Sequence, residues 1–362
     1  MIGAPAGERA AQDGERPPDV EGRPSGLTPV ARSGTLWAVW LAVALVEIVG
    51  LGVIASRIPE DRDWDSAGAW LRARLGPADA VAVAPDWIDP HVRRVAGDAM
   101  TLRSSGRSDL APFERLFVVS ARGELPLETP RRDPDEVAAF GRLRVMRWDL
   151  GPSPVRFDFV QQIRRARVTW RQQGRERPCS WRAMGVGLGG GLGTGPATPA
   201  ERFVCEGAPP WIWVGATVLE DLDLRPRYCV WQHPTGPEPV RVRYDAVPVG
   251  ERLVLYAGLY YEDERMLAHG PFTVRVLLDG REIGRLEHRD GEGWKRAEMM
   301  TRSLERAVAD PDARGSFVFE VTAPDPHLRR VCWAATVRVG RDRASDAPLP
   351  PPARPTFLRR VS

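Results

Sequence analysis

Hydrophobic positions along the chain follow three different patterns. Residues 36–55, LWAVWLAVALVEIVGLGVIA, are an almost unbroken apolar run, close to the ~20 residues a helix needs to cross a bilayer. Glu47 is its one ionisable residue. A carboxylate at mid-membrane is costly when charged, so Glu47 is expected to be protonated or to face a helix of a partner or a second copy. The second pattern begins at residue 63, DWDSAGAWLRARLGPADAVAVAPDW, where Trp64, Ala67, Trp70, Leu71 and Leu75 share one helical face and Gly76-Pro77 ends the run. Apolar AVAVA at 80–84 and RLFVVS at 115–120 read as buried strands, with a short helix between them near His91 to Gly97. FGRLRVMRWDL and VRFDFVQQIRRARVTW read as further β-rich stretches leading onward.

From residue 203 the pattern changes again. FVCEG, WIWVGATVLE, RYCVWQH, VRVRYDAV, RLVLYAGLYY, FTVRVLLDG, EIGRLEHRD, SFVFEVTA and VCWAATVRV follow at short spacings with Gly, Pro or Asp between them, as in an antiparallel sandwich. Asp279-Gly280 is placed as a tight hairpin turn between two alternating strands. Residues 294–308, WKRAEMMTRSLERAV, read as a helical insert. The expected fold class is therefore α+β. A disordered tail (1–35) leads into a single transmembrane anchor (36–55) and a small Rossmann-like α/β unit (62–170). An antiparallel, jelly-roll-like β-sandwich (171–345) and a disordered Pro-rich tail (346–362) follow.

Cysteine usage adds a location. The 4 cysteines, Cys179, Cys205, Cys229 and Cys332, all follow the anchor, which fits an oxidising compartment and places the C-terminal part in the periplasm, behind an uncleaved signal anchor. Of the three possible pairings, Cys179 with Cys205 and Cys229 with Cys332 is favoured. The first pair brackets a glycine-rich stretch, and each member of the second precedes a strand-like tryptophan context. Zinc is the rival for these thiols, but no C-x-x-C is present and no histidine stands at ligand spacing, so no metal is expected. Charge is nearly balanced, with 51 basic and 48 acidic residues well mixed along the chain, and this excludes a nucleic-acid partner.

The elements DWDSAGAWL, GPADAVAVAPDW, RLFVVSARG and FGRLRV, over about residues 60–165, are similar to the extracytoplasmic C-terminal region of polytopic membrane glycosyltransferases that use polyprenyl-phosphate sugars. Those enzymes hold their catalytic acids among many membrane helices, so the resemblance implies only an accessory role in envelope glycan or lipid metabolism and carries over no catalytic residue. Residues of about 200–340 look like galactose-binding-like β-sandwiches, which implies carbohydrate binding.

Candidate chemistry follows from residue types. Sugar rings lay their C–H faces on flat aromatic rings, which singles out Trp211, Trp231, Tyr260, Tyr261 and Trp294; Trp213 shares a strand face with Trp211. Asp86, Asp89 and His91 follow the end of AVAVA, where open α/β sheets place ligands, or else form an Asp-Pro turn. Glu220, Asp221 and Asp223 in LEDLDL, and Glu262, Asp263 and Glu264 in YYEDER, could act as a glycosidase pair or bind calcium, or could be solvated loop charges. His233, His269, His288 and His327 are scattered, and no G-x-S-x-G or H-E-x-x-H motif occurs. Gly185-x-Gly187-x-x-Gly190 matches the letters of a dinucleotide fingerprint, but no strand precedes it and no helix opens after it, so no cofactor is expected. The expected function is a membrane-anchored, non-catalytic module for envelope glycans, glycolipids or a partner protein, the latter including a membrane protein reached through the anchor. The alternative is an envelope polysaccharide transferase or hydrolase using carboxylates.

Overall fold

The computed structural model describes residues 33–56, 58–172, 174–183, 198–236, 238–266, 270–301, 310, 312–327 and 329–340. The chain divides into two units, Met1–Arg57 and Ile58–Ser362. In the first, helix α1 (Ser33–Ala55) contains Trp37–Ala55, a stretch long and apolar enough to cross a membrane and exposed along its length, Glu47 included.

The second unit opens with α2 (Asp61–Arg72), whose start is fixed by Asp63 accepting the Glu60 N–H at 3.1 Å. The expected face is the buried one: Trp64, Ala67 and Leu71 enter the core. The strand β1 (Asp79–Ala84) runs parallel to β2 (Arg115–Ala121), and α3 (Asp89–Ala96) and α4 (Leu102–Ser105) lie in the crossover. At Gly68 a Cβ would come within 2.6 Å of Val95 Cβ, so a side chain there would push α2 off α3. β3 (Glu136–Phe140) and β4 (Leu143–Asp149) then complete a four-stranded sheet of order β1-β2-β4-β3. A Rossmann-like series is not what forms. After one parallel pair the chain turns back at Gly141 (φ 54°), and β4 and β3 pair antiparallel. Gly141 also lies against the Asp63 carboxylate, leaving no room for a side chain, so this hairpin is pinned to the start of α2.

The remaining strands form a large β-sandwich. They are β5 (Val155–Asp158), β6 (Arg167–Gln172), β7 (Arg175–Ala183), β8 (Glu201–Cys205), β9 (Trp213–Glu220), β10 (Pro226–Gln232), β11 (Val240–Pro248) and β12 (Arg252–Leu259). After the short helix α5 (Tyr261–Met266) come β13 (Phe272–Leu278), β14 (Arg281–His288), β15 (Lys295–Met300), β16 (Arg314–Thr322) and β17 (Val331–Arg338). One layer runs β14-β13-β16-β11-β6 and the other β8-β9-β10-β17-β12-β15, with β7 pairing β6 on one side and β8 on the other. Strand β5 adds to β17. Val242, Tyr244, Phe317 and Phe319 of the first layer meet Leu253, Leu255, Trp333 and Ala335 of the second in one core. Phe319 stacks on Trp333 at 4.2 Å. Gln232, fully buried, joins the layers by polar means: it accepts from Trp333 Nε1 at 2.8 Å and donates to the Val240 and Phe319 carbonyls at 2.8 and 3.3 Å.

Asp279 and Gly280 take φ values of 51° and 80° in the β13–β14 turn, the double left-handed pair that a two-residue hairpin needs. The helical reading of 294–308 is corrected at its start, since Lys295–Met300 is a strand paired to β12; residues 302–309 lie outside the described residues. The glycine stretch 185–195, the tails 1–32 and 341–362, and His269 lie outside them as well.

Both favoured disulfides are present. Cys179–Cys205 links residues directly opposite on β7 and β8, and Cys229–Cys332 ties β10 to β17. A link that closes a longer loop restricts the unfolded chain more. Replacing Cys229 and Cys332, 103 residues apart, by alanine is therefore expected to cost about 2–5 kcal/mol in urea unfolding. The Cys179/Cys205 double alanine, with a separation of 26, should cost less.

At the β6–β11 pairing, Asp245 bonds Arg243 at 2.7 Å and also Arg167. The Arg243 bond, with Arg167 adding, holds its carboxyl down at about 2. A depressed carboxyl stabilises the fold above its ordinary pKa and loses that contribution as pH falls through the depressed value. The stability gap between wild type and Asp245→Asn should shrink from pH 4 to pH 2, from a starting size of no more than about 1 kcal/mol because the pair is solvent-exposed.

Candidate functional site

Two features of the Ile58–Ser362 unit gather polar and aromatic groups at the surface. The first is a cleft of about 630 Å³ at the carboxyl end of β1, lined from one side by β1 and residues 124–128 and from the other by the β9–β10 turn. β1 is an edge strand, and side chains rather than another strand satisfy part of that edge. The Val81 N–H donates to Ser104 Oγ at 2.7 Å, and Arg107 Nη1 donates to the Val81 carbonyl at 2.8 Å and the Ser104 carbonyl at 2.7 Å. Arg107 also pairs with Glu128. Burial raises the Glu128 carboxyl, but the adjacent Arg107 charge and hydrogen bonding outweigh it, and the group sits below the usual range.

The opposite wall depends on Asp221. Its Oδ1 accepts the N–H groups of Asp223 and Arg225, each at 3.0 Å, and its Oδ2 accepts Arg227 Nε at 2.7 Å. This closes the turn with Leu224 at φ 60° and sets Asp223, Leu224 and Arg225 at the cleft. Burial, with Asp221 adjacent, raises the Asp223 carboxyl.

Of the strand-end candidates, Asp86 and Asp89 line the cleft, Asp89 paired with Arg93. His91 does not line it and instead stacks on Trp64 at 5.0 Å. Glu124, Glu128 and Arg107 had no signal in the sequence, because nothing local marks them as neighbours of β1.

The second feature is the outer face of the β9-β10-β17-β12 layer. Trp213 and Trp231 stack at 5.1 Å with planes 11° apart, both buried, against the Cys229–Cys332 disulfide. Trp231 Nε1 donates to the Trp211 carbonyl at 3.3 Å, and Trp211 itself is 48% exposed. Tyr260 and Tyr261 pack edge-to-face at 4.4 Å, and the Arg330 guanidinium lies 4.4 Å from the Tyr260 ring centre. Arg330 is held by Asp263 at 2.6 Å and by Glu262 at 3.1 Å. Burial, then the Tyr261 hydrogen bond and the Glu262 and Glu220 charges, push the Tyr260 phenol up, so it stays a neutral hydroxyl. His233, beside Trp231, is pushed down by burial and is a neutral imidazole at pH 7.

Trp294 is half-buried against the same cluster: its Nε1 donates to Ser108 Oγ at 3.0 Å, and Arg227 lies over its ring at 5.8 Å. Glu264 is a structural acid, buried with His288 at 3.1 Å and accepting the Gly291 N–H at 2.7 Å. Arg330 escaped sequence reading because its partners lie 67 and 68 residues away. Among the described residues no group of three or more His, Cys, Asp or Glu could hold a metal ion.

No family model matches the chain, and no curated protein does. Among solved structures, it is similar to CBM51-2 with INT domains of Clostridium perfringens ZmpB in complex with GlcNAc. That match has a TM-score of 0.26 and 11% identity, over 34% of this chain and 25% of that one. A CBM51 from Clostridium perfringens GH95 in complex with methyl-galactose gives 0.24 and 8%, over 34% and 80%. The mannan-recognising module TmCBM27 gives 0.23 and 12%, over 50% and 93%. The chain thus spans a quarter of the first of these structures, and overlays this slight do not bear on what it does.

Arg107 is the cleft group whose loss should be felt most. Arg107→Ala leaves Glu128 and the Val81 carbonyl without their partner, and a broken buried pair costs about 3–5 kcal/mol. Allowing for the partial exposure of this one, a loss of about 2 kcal/mol in urea unfolding is expected, with a rise in the Glu128 pKa seen by carboxyl NMR titration.

Proposed function

We propose that the chain is a membrane-anchored, extracytoplasmic binding module that takes a carbohydrate of the cell envelope on its aromatic face. The observation that carries this reading is the Tyr260–Tyr261 pair beside the Arg330–Glu262 pair, with Tyr260 packed on the cluster that holds Trp213 and Trp231, and with exposed Trp211 joined to Trp231 through its carbonyl. Flat rings offer stacking surface for sugar C–H groups, while a guanidinium, a carboxylate and neutral hydroxyls bond the ring hydroxyls. Trp231 contributes from beneath, stacked on Trp213 and bonded to the Trp211 carbonyl, and Trp294 braces the adjoining edge. The two disulfides and the apolar helix α1 support an oxidising, membrane-bound location. The resemblance of residues 60–165 to envelope glycosyltransferases supports a role beside glycan assembly, and the sandwich architecture is a common scaffold for such binding.

The test is a glycan array probed with the full chain in detergent micelles. A subset of envelope-type glycans should be retained, and Trp211→Ala or Tyr261→Ala should each weaken retention about three- to tenfold, the scale of one aromatic contact. His91→Ala, at the other sheet, should leave it unchanged. No retained glycan, or retention indifferent to both aromatic substitutions, would remove the carbohydrate reading.

A further inference from the structure

β1 leaves one backbone position open. On its outer edge the Asp79 N–H donates to the Gly76 carbonyl at 3.2 Å and Val81 is satisfied by Ser104 and Arg107. In a parallel pair, alternate residues turn both N–H and C=O to the same side, so Val83, two residues on, directs its groups along the edge Val81 uses. Val83 is the only residue of β1 that is not buried, and it lines the cleft. Among the described residues its N–H and C=O have no partner outside the β2 pairing. The next peptide bond but one leads to Pro85, which has no N–H, so a pairing site one residue long remains at the floor of the cleft.

What surrounds that site has a definite sign and texture. Asp86, Glu124 and Asp223 line the cleft without an ion pair or side-chain hydrogen bond among the described residues, against Arg225 as the one lining arginine in the same condition. Arg93, Arg107 and Arg227 are neutralised by Asp89, Glu128 and Asp221. Leu125, Leu127 and Leu224, 52%, 64% and 54% exposed, also line the cleft. Leucines and unpaired carboxylates lining one cleft with an open strand edge match an extended chain that carries both apolar and basic side chains. A phosphate or an acidic ligand would meet a surplus of negative charge.

We infer that this cleft receives an extended basic peptide segment of a partner protein, which pairs with the β1 edge at Val83. The main chain exchanges two hydrogen bonds with Val83; basic side chains reach Asp86, Glu124 and Asp223; apolar ones cover the leucines. Main-chain pairing supplies affinity, and the pockets for alternate side chains supply selectivity. This site is separate from the aromatic face and does not rest on the carbohydrate reading.

The test uses full-length protein in detergent micelles, immobilised and offered a degenerate octapeptide pool. Retained peptides should be enriched in Lys and Arg, with Leu, Val or Ile between them. A consensus peptide made from that pool should slow amide exchange at Val83. N-methylation on the edge facing Val83 should weaken it about tenfold or more, and on the other edge little. The triple variant Asp86→Asn, Glu124→Gln, Asp223→Asn should bind the same peptide about tenfold more weakly and with a flatter salt dependence; an unchanged thermal midpoint shows that it folds. Retention without basic enrichment, equal affinity in the triple variant, indifference to N-methylation, or protection of Val83 by a chitooligosaccharide and not by the peptide would each overturn the inference.

Discussion

The contact between the small mixed sheet and the sandwich centres on one short segment, Gly106–Asp109, with Arg103 adding an ion pair to Asp158. The Gly106 carbonyl accepts the Tyr228 N–H at 2.7 Å, an approach that leaves no space for a side chain, since a Cβ would sit 2.4 Å from that nitrogen. The Arg107 carbonyl accepts Arg227 Nη1 at 2.9 Å, and Ser108 accepts Trp294 Nε1. Asp109 is buried against Arg338 at 2.5 Å and the Tyr256 hydroxyl at 2.7 Å. An isolated carboxylate could not be buried there at tolerable cost; with a guanidinium and a phenol it can. The pair therefore fixes where the small sheet docks more than it adds to stability.

This docking explains the burial of β12 and β17. A sandwich strand normally alternates between core and solvent, yet every residue of β12 is buried. Leu253, Leu255 and Ala257 face the inter-layer core, whereas Val254 and Tyr256 lie under the Gly106–Asp109 segment. The outer side of the layer has a neighbour along this length and is open only toward Tyr260, where the clamp ends. Aromatic side chains are consequently partly exposed where the clamp ends, as Tyr260 and Tyr261 are, and committed to packing where it reaches, as Trp294 is.

Local features were legible in the sequence and long-range ones were not. The apolar run of α1, the Trp64–Ala67–Leu71 face, the AVAVA and RLFVVS strands and the Asp279-Gly280 turn were readable, because each is set by residues close in sequence; the disulfide set that forms was the favoured one of three. The Rossmann-like expectation went astray because nothing in AVAVA and RLFVVS tells a lone parallel pair from the start of a longer series. The decision is made at Gly141, whose positive φ and contact with Asp63 turn β4 back. In KRAEMM, good helix formers were misread because pairing with β12 overrides propensity. As for the sites, residue type pointed to Asp86, Asp89, Trp211, Tyr260 and Tyr261. The groups that stand with them, Arg107 paired with Glu128 at the cleft and Arg330 with Glu262 at the aromatic face, are joined only by the fold.

Strand β10 connects the two surface features physically. Its alternate residues Arg227, Cys229 and Trp231 share the outer face. Arg227 closes the cleft turn through Asp221 and the clamp through Arg107; Cys229 bolts the strand to β17; Trp231 carries the stack beneath Trp211. β17 brings Arg330 just before its first residue and Cys332 just inside it, so the same disulfide that fixes Trp231 fixes the guanidinium over Tyr260.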